Sequence, residues 1–196
     1  MLSYKDSLNV LKKTRALLEG HFVLTSGLHS NMYVQCAKLL SDPNATSKIC
    51  SSLTEKILKS FPSVGLILSP ALGGIIIGYE IGRRLNKEAI FSERVEGKFQ
   101  LRRGFSIKKD TKVLIVEDVI TTGKSILECA KLVKKANAIT LGFACIIDRS
   151  NKKNLLIKKN KIISQIKLSI SAYKKNDLPS FLKTIPVTTP GSRFLK

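Results

Sequence analysis

Glu117 and Asp118 stand side by side at the end of the apolar run Val113–Val116, and Thr121, Thr122, Gly123, Lys124 and Ser125 follow at once. The ending Gly-Lys-Ser suggests a nucleotide-hydrolysing P-loop, which needs Gly-x-x-x-x-Gly-Lys-[Ser/Thr]. Asp118 occupies the place of the first glycine, so that pattern fails. What is left is a strand, an acidic pair and a run of small polar residues entering a helix. Such a run aims backbone N–H groups and hydroxyls at one anion, and the helix dipole adds to the attraction. Two carboxylates beside a single phosphate suit the vicinal hydroxyls of a ribose 5-phosphate, directly or through Mg²⁺. The plainer alternative is an acidic helix cap after a strand.

The elements that position these residues follow from the pattern. "VGLILSP" (64–70), "KVLIVEDV" (112–119) and "AITLGFACIID" (138–148) are continuous apolar runs, and helical stretches follow the first two. Continuous runs alternating with helices predict βαβ units around a parallel sheet buried on both faces. Ligands bind such sheets at the carboxyl ends of the strands. Three polar punctuations fall there: "SPALGG", "EDVITTGKS" and "DRS". Ahead of them, residues 1–20 read as one amphipathic helix with Leu8, Leu11, Leu17 and Leu18 on its apolar side. An extended piece is expected around "HFVLTSG…NMYVQCA", then a helix capped by Ser41 or Asp42 with Pro43 in its first turn. The lysine-rich segment after Ser150 is expected to hold an edge strand at "KIISQIKLSI".

Composition sets outer bounds. The chain has 196 residues, enough for one domain, and 43% of them are apolar. No apolar run reaches the roughly 18–20 residues that span a bilayer, and the N-terminus lacks the features of a secretory signal. The four cysteines form no Cys-x-x-Cys pair, which argues against a zinc site or a disulfide framework and fits a cytoplasmic protein. The net charge of +20 attracts polyanions, although the lysines lie in scattered pairs with no interleaved aromatics. Specific nucleic-acid binding and membrane association are therefore not expected. The two histidines, His21 and His29, are expected to be structural.

The segment Glu117, Asp118, Val119, Ile120, Thr121, Thr122, Gly123, Lys124, Ser125 resembles the phosphoribosyl-diphosphate (PRPP) loop of type I phosphoribosyltransferases. Other stretches narrow the resemblance to the orotate phosphoribosyltransferases. "LTSGLHSNMYV" is similar to that family's segment for admitting substrate, and "SPALGGI" to its diphosphate-side loop. "SERVEGKFQLRRGFSI" resembles its mobile catalytic loop, "IIDRS" its orotate arginine and "PGSR" its C-terminus. Together these run in the family's order from about Leu24 to Arg193. The resemblance implies a single α/β phosphoribosyltransferase domain with a doubly wound parallel sheet: N-terminal helices and hood over 1–60, a βαβ core over 61–150 and a C-terminal edge segment over 151–196.

The resemblance also implies roles. Glu117 to Ser125 would hold PRPP, with Thr121 touching both the phosphoribosyl group and orotate. Arg149 would grip the orotate carboxylate, which a planar guanidinium can do through two parallel hydrogen bonds; pairing with Asp148 is its bland alternative. Tyr33 and Val34 fall where the family's backbone meets the base. Arg94 and Lys98 would reach the diphosphate across a homodimer interface. Asp118 and Lys98 are the expected catalytic residues, and Asp118 is the protein group expected to assist a Mg²⁺ held mainly by PRPP. Four positions depart from the common pattern: Thr25 and Val95 replace lysines, Gly73 a basic residue and Gln100 a histidine. Arg102 and Arg103 are the nearby cations available to compensate. The implied reaction makes orotidine 5′-monophosphate and diphosphate in pyrimidine (UMP) biosynthesis, by electrostatics and positioning without a covalent nucleophile. The alternatives are a transferase for another base, or a PRPP-sensing nucleic-acid-binding regulator. The charge favours the regulator, whereas the loop cations and Arg149 oppose it.

Overall fold

The computed structural model describes residues 1–24, 26–151, 154–157 and 161–190. Thr25 and Gly191–Arg193, named above for the resemblance, lie outside the described residues. Three apolar runs become the parallel strands β3 (Leu66–Pro70), β6 (Lys112–Ile120) and β7 (Ile139–Asp148). With β4 (Ala89–Val95), β5 (Lys98–Leu101) and β8 (Ile162–Lys167) they form a six-stranded sheet in the order β5-β4-β3-β6-β7-β8. All pairs are parallel except β4 with β5.

Alternate residues of one strand serve two separate cores, which is why these strands read as unbroken apolar runs. Leu114 and Val116 pack with Ile49, Leu53 and Ile57 of α3 (Pro43–Ser60) and Ile77 and Ile81 of α4 (Gly74–Leu85). Val113 and Ile115 pack on the other face with Ile126, Cys129 and Val133 of α5 (Lys124–Lys135). Helix α4 approaches closely because its glycines present no side chain: a Cβ at Gly82 would lie 2.8 Å from that of Ala89. Asp42 caps α3 through the N–H groups of Asn44 and Ala45, and Pro43 opens it, as expected.

The N-terminal reading needs correction. Helix α1 is Tyr4–Lys13 only, capped at Ser3 by a capping box with Asp6, and Leu17 and Leu18 belong to β1 (Leu17–Val23). Arg15 adopts a φ of 56°, which ends the helix, and Leu17 and Leu18 then pair with Val34 and Tyr33 of β2 (His29–Val34). Leucine spacing alone cannot separate a helix from a helix followed by a strand.

The hood is a second, four-stranded sheet in the order β10-β1-β2-β9. Its outer strands, β9 (Ala172–Tyr173) and β10 (Val187–Thr188), come from the far end of the chain. The described residues after Ser150 are thus divided: β8 extends the core sheet as the expected edge strand, and β9 and β10 complete the hood. A short 3₁₀ turn at Lys175–Asp177 and helix α6 (Ser180–Lys183) link β9 to β10. His21 and His29 lock this junction. Their Nε2 and Nδ1 lie 2.7 Å apart, and His21 Nδ1 is 3.2 Å from the Ile185 carbonyl. That carbonyl can only accept, so His21 donates to it and His29 donates to His21. Both rings are buried, in keeping with the structural role expected of them.

Candidate active site at the strand ends

Strand β6 delivers Glu117 and Asp118, half-buried, to the sheet's carboxyl edge, and the chain then exposes Thr121 and Thr122 before α5 begins. Gly123 makes the turn with a φ of 78°, a conformation that favours glycine, and it caps α5 without any side-chain hydrogen bond. The first-turn N–H groups of α5 therefore lack a protein cap and face outward at the positive end of the helix dipole. Among the described residues the Lys124 N–H makes a long contact there, 3.4 Å from Thr122 Oγ1. The Leu156 N–H donates to the Thr122 carbonyl at 2.9 Å, and Leu155 and Ile157 back onto Gly123. The loop is thus braced from behind with its donors free in front.

The two carboxylates are electrostatically uncomfortable. Burial pushes Glu117 up to about 7, the neighbouring charge of Asp118 adds to the rise, and a hydrogen bond from Ser125 opposes it. Burial also raises Asp118, against hydrogen bonds from the backbone, including the Val119 N–H at 2.8 Å. Among the described residues neither acid has an ion-pair partner. Carboxylates so placed can accept hydroxyls or a cation from a ligand.

Gly73, the departure in the diphosphate-side loop, has a steric explanation. A Cβ there would lie 2.9 Å from both carboxylate oxygens of Asp118, so the glycine makes room for the acid. The loop between β3 and α4 and the end of the hood strand β2 enclose a cavity of about 400 Å³. Val34, Cys36, Gly73, Ile76, Asp118 and Val119 are among its walls. Tyr33 points to the opposite side of β2, where its hydroxyl donates to Gln35 Oε1 at 3.1 Å and its ring packs on Phe22. Any contact of Tyr33 with a base in this cavity would be made by its backbone, as the resemblance implies.

Arg149 follows β7, and its N–H donates to the Ile120 carbonyl at 2.8 Å, fixing it beside the loop. Its side chain is half-buried, yet Nε is shielded from solvent with no hydrogen-bond acceptor among the described residues. Burial lowers its affinity for the proton, with Cys36 opposing. The bland pairing with Asp148 does not form: Asp148 Oδ1 accepts instead from the Ser150 N–H at 2.7 Å. Cys36, at the start of helix α2 (Cys36–Leu40), feels both Asp118 and Arg149. Its thiol is pushed up chiefly by burial, then by Asp118, with Arg149 opposing. Cys36 lines the same cavity as Asp118, at the end of the hood strand β2. Nothing in its sequence context signals that place.

The "mobile loop" takes a definite shape. Residues 89–101 form the β4–β5 hairpin, with Val95 opposite Lys98 and only Glu96 and Gly97 between them. Their φ values of 47° and 78° belong to the primed turns that suit two-residue hairpins. The alternation Lys98 exposed, Phe99 buried, Gln100 exposed is a strand signal that the polar composition obscures. Arg103 makes two hydrogen bonds of 2.9 Å to Glu93, so this cation anchors the hairpin's base. Lys98 is exposed and, among the described residues, has no carboxylate partner.

A small-residue loop at a helix N-terminus, an acidic pair beside it and a hood drawn from residues 17–34 and 172–188 make up a fold of the phosphoribosyltransferase class. Residues 38–177 match the phosphoribosyl transferase domain family, and the chain belongs to it. An orotate phosphoribosyltransferase of Chlorobium phaeobacteroides (strain BS1) is 45% identical over 188 residues, covering 96% of this chain and 95% of that protein. One of Chlorobaculum parvum is 43% identical over 192 residues, covering 98% and 97%. The crystal structure of orotate phosphoribosyltransferase from Aeropyrum pernix superposes with a TM-score of 0.68 at 25% identity, over 82% of this chain and 92% of that one. Within the wider family, the chain is thus a member of the orotate phosphoribosyltransferases.

Proposed function

We propose that the phosphate cradle, the acidic pair, Arg149 and the β4–β5 hairpin divide between them the transfer of ribose 5-phosphate from PRPP to orotate. The products are orotidine 5′-monophosphate and diphosphate, and the step belongs to pyrimidine biosynthesis. N1 of orotate forms its bond to the ribose C1 as the bond from C1 to the diphosphate oxygen breaks. The electron pair leaves with diphosphate, and no enzyme nucleophile is needed.

Each group has a physical task. The 5-phosphate sits on the N–H groups and hydroxyls of Thr121–Ser125, at the uncapped start of α5. Glu117 and Asp118 accept the ribose hydroxyls, and their negative charge favours the ribose as it becomes cation-like. Lys98 and Arg94 bring positive charge to the departing diphosphate. Val34, and Tyr33 through its backbone, border the base. Among the described residues no cluster of His, Cys, Asp and Glu is arranged to hold a metal. The half-buried Asp118, with no ion-pair partner among the described residues, fits a supporting contact to a Mg²⁺ carried by PRPP. Such an ion would neutralise diphosphate charge and keep most of its ligands as PRPP oxygens and water. The working unit is a homodimer in which the hairpin serves the partner's site.

One observation carries the substrate assignment: the shielded Nε of Arg149, which has no acceptor and lies beside the loop. A shielded guanidinium N–H without an acceptor is costly, and a planar carboxylate answers it. The test is Arg149→Ala in a spectrophotometric assay of orotate consumption, with purine bases and uracil as controls. Removing one side of a buried charge pair costs roughly 2–5 kcal/mol. The KM for orotate should rise more than tenfold and that for PRPP much less. An unchanged orotate KM would remove Arg149 from the base site.

A further inference from the structure

We propose that Glu128 is a positioning residue: it holds Arg94 on the flank of α5 until a diphosphate takes over the guanidinium, and so sets the affinity for PRPP. The proposal rests on the reading above that Arg94 serves the diphosphate. Arg94 faces Phe99 across the hairpin, and its Cζ lies 4.1 Å from the centre of that ring. Its Nη1 donates to the Gly97 carbonyl in the turn. Its Nη2 comes within 3.1 Å of Glu128 Oε2 on α5. The guanidinium is thus folded back on its own hairpin and tied to its own helix.

The place of Glu128 gives this contact its meaning. It stands about one helical turn beyond Lys124, at the start of the helix whose N-terminus forms the phosphate cradle. The helix that receives phosphate also carries on its flank the carboxylate that retains a diphosphate ligand. The contact is close but poorly aimed. Glu128 Oε2 is shielded from solvent, yet no N–H points at it well enough to make a hydrogen bond. Charge attraction holds the pair without the geometry of a good fork. A diphosphate offers several negative charges and pairs of oxygens that match the planar guanidinium, so it outcompetes one badly aligned carboxylate. Glu93 behaves differently, because its two well-formed hydrogen bonds to Arg103 keep the base of the hairpin fixed while Arg94 is exchanged.

The experiment compares wild type, Glu128→Gln, Arg94→Ala and the double variant by steady-state kinetics, with both substrates varied. Glutamine keeps the size of the side chain and removes its charge. Side chains of Arg94 and Glu128 are 40% and 21% exposed, and partly screened pairs of this kind contribute modestly. Glu128→Gln should lower the KM for PRPP about two- to fivefold, leave the KM for orotate unchanged, and have no such effect in the Arg94→Ala background. A PRPP KM that is unchanged or raised in Glu128→Gln overturns the proposal. So does the same decrease persisting without Arg94. If Arg94→Ala alone leaves the PRPP KM unaltered, the assignment of Arg94 to diphosphate fails and takes the role of Glu128 with it.

Discussion

Glu117 carries a measurable consequence of its place at the end of β6. Its carboxyl is raised from an ordinary 4.5 to about 7, first by burial and then by Asp118. Between those two values the folded protein holds a proton that the unfolded chain has lost, so stability falls as pH rises through that window and levels off above it. The displacement corresponds to on the order of 3 kcal/mol. Denaturant midpoints at about pH 5 and about pH 8 check this: Glu117→Gln should gain on wild type at the higher pH. A pH-independent difference between the two proteins would contradict the raised value. The places of the acids, the threonines and Arg149 at strand ends were legible in the sequence because each follows a continuous apolar run. Gly73 and Glu128 were not. What matters for each is a neighbour remote in sequence, Asp118 for one and Arg94 for the other.

In the proposed reaction, the β4–β5 hairpin is the element that brings positive charge to the departing diphosphate. The loop after β3 cannot supply a side-chain cation at Gly73 without displacing Asp118, and Lys124 is the one basic side chain of the PRPP loop. Lys98, exposed one residue past the turn, is placed to reach outward. Lys98→Ala and Asp118→Asn subunits should each be nearly inactive, since losing a preorganised electrostatic contact typically costs about 10²–10³ in rate. Mixed subunits would hold one intact site per heterodimer, and activity should recover to about half of wild type per heterodimer. Failure to recover after confirmed subunit exchange would assign the hairpin to its own subunit's site. The sequence reading of this segment as a polar loop missed the strand pairing, because charged residues mask the alternation around the buried Phe99.

At the scale of the whole molecule, the charge of +20 has no task in the proposed reaction beyond the few cations at the site. Among the described residues no helix is long and apolar enough to cross a membrane. Scattered lysines attract polyanions through counterion release without reading their sequence. RNA or DNA binding by this protein should therefore be non-specific and fall steeply as salt is raised, as a filter-binding or anisotropy titration would read. Tight binding of one defined sequence at physiological salt, modulated by PRPP, would add a regulatory role to the enzyme.

The sequence by itself determined the doubly wound sheet, since strands buried on both faces must be continuously apolar, and β3, β6 and β7 are. It also placed the acidic pair, the small polar loop and Arg149 together at the strand ends, because that depends on residue type and local order. Only the tertiary structure decided that Leu17 and Leu18 belong to a strand. Their apolar faces fit either element until β2 arrives to pair with them. It alone closed the hood, bringing β9 and β10 from residues 172–188 onto β1 and β2, because strands this short carry no pattern and are fixed by their neighbours. It also placed Cys36 in one cavity wall with Asp118 and folded Arg94 onto Glu128. Contacts between distant segments depend on how the elements pack, and periodicity along the chain does not encode them.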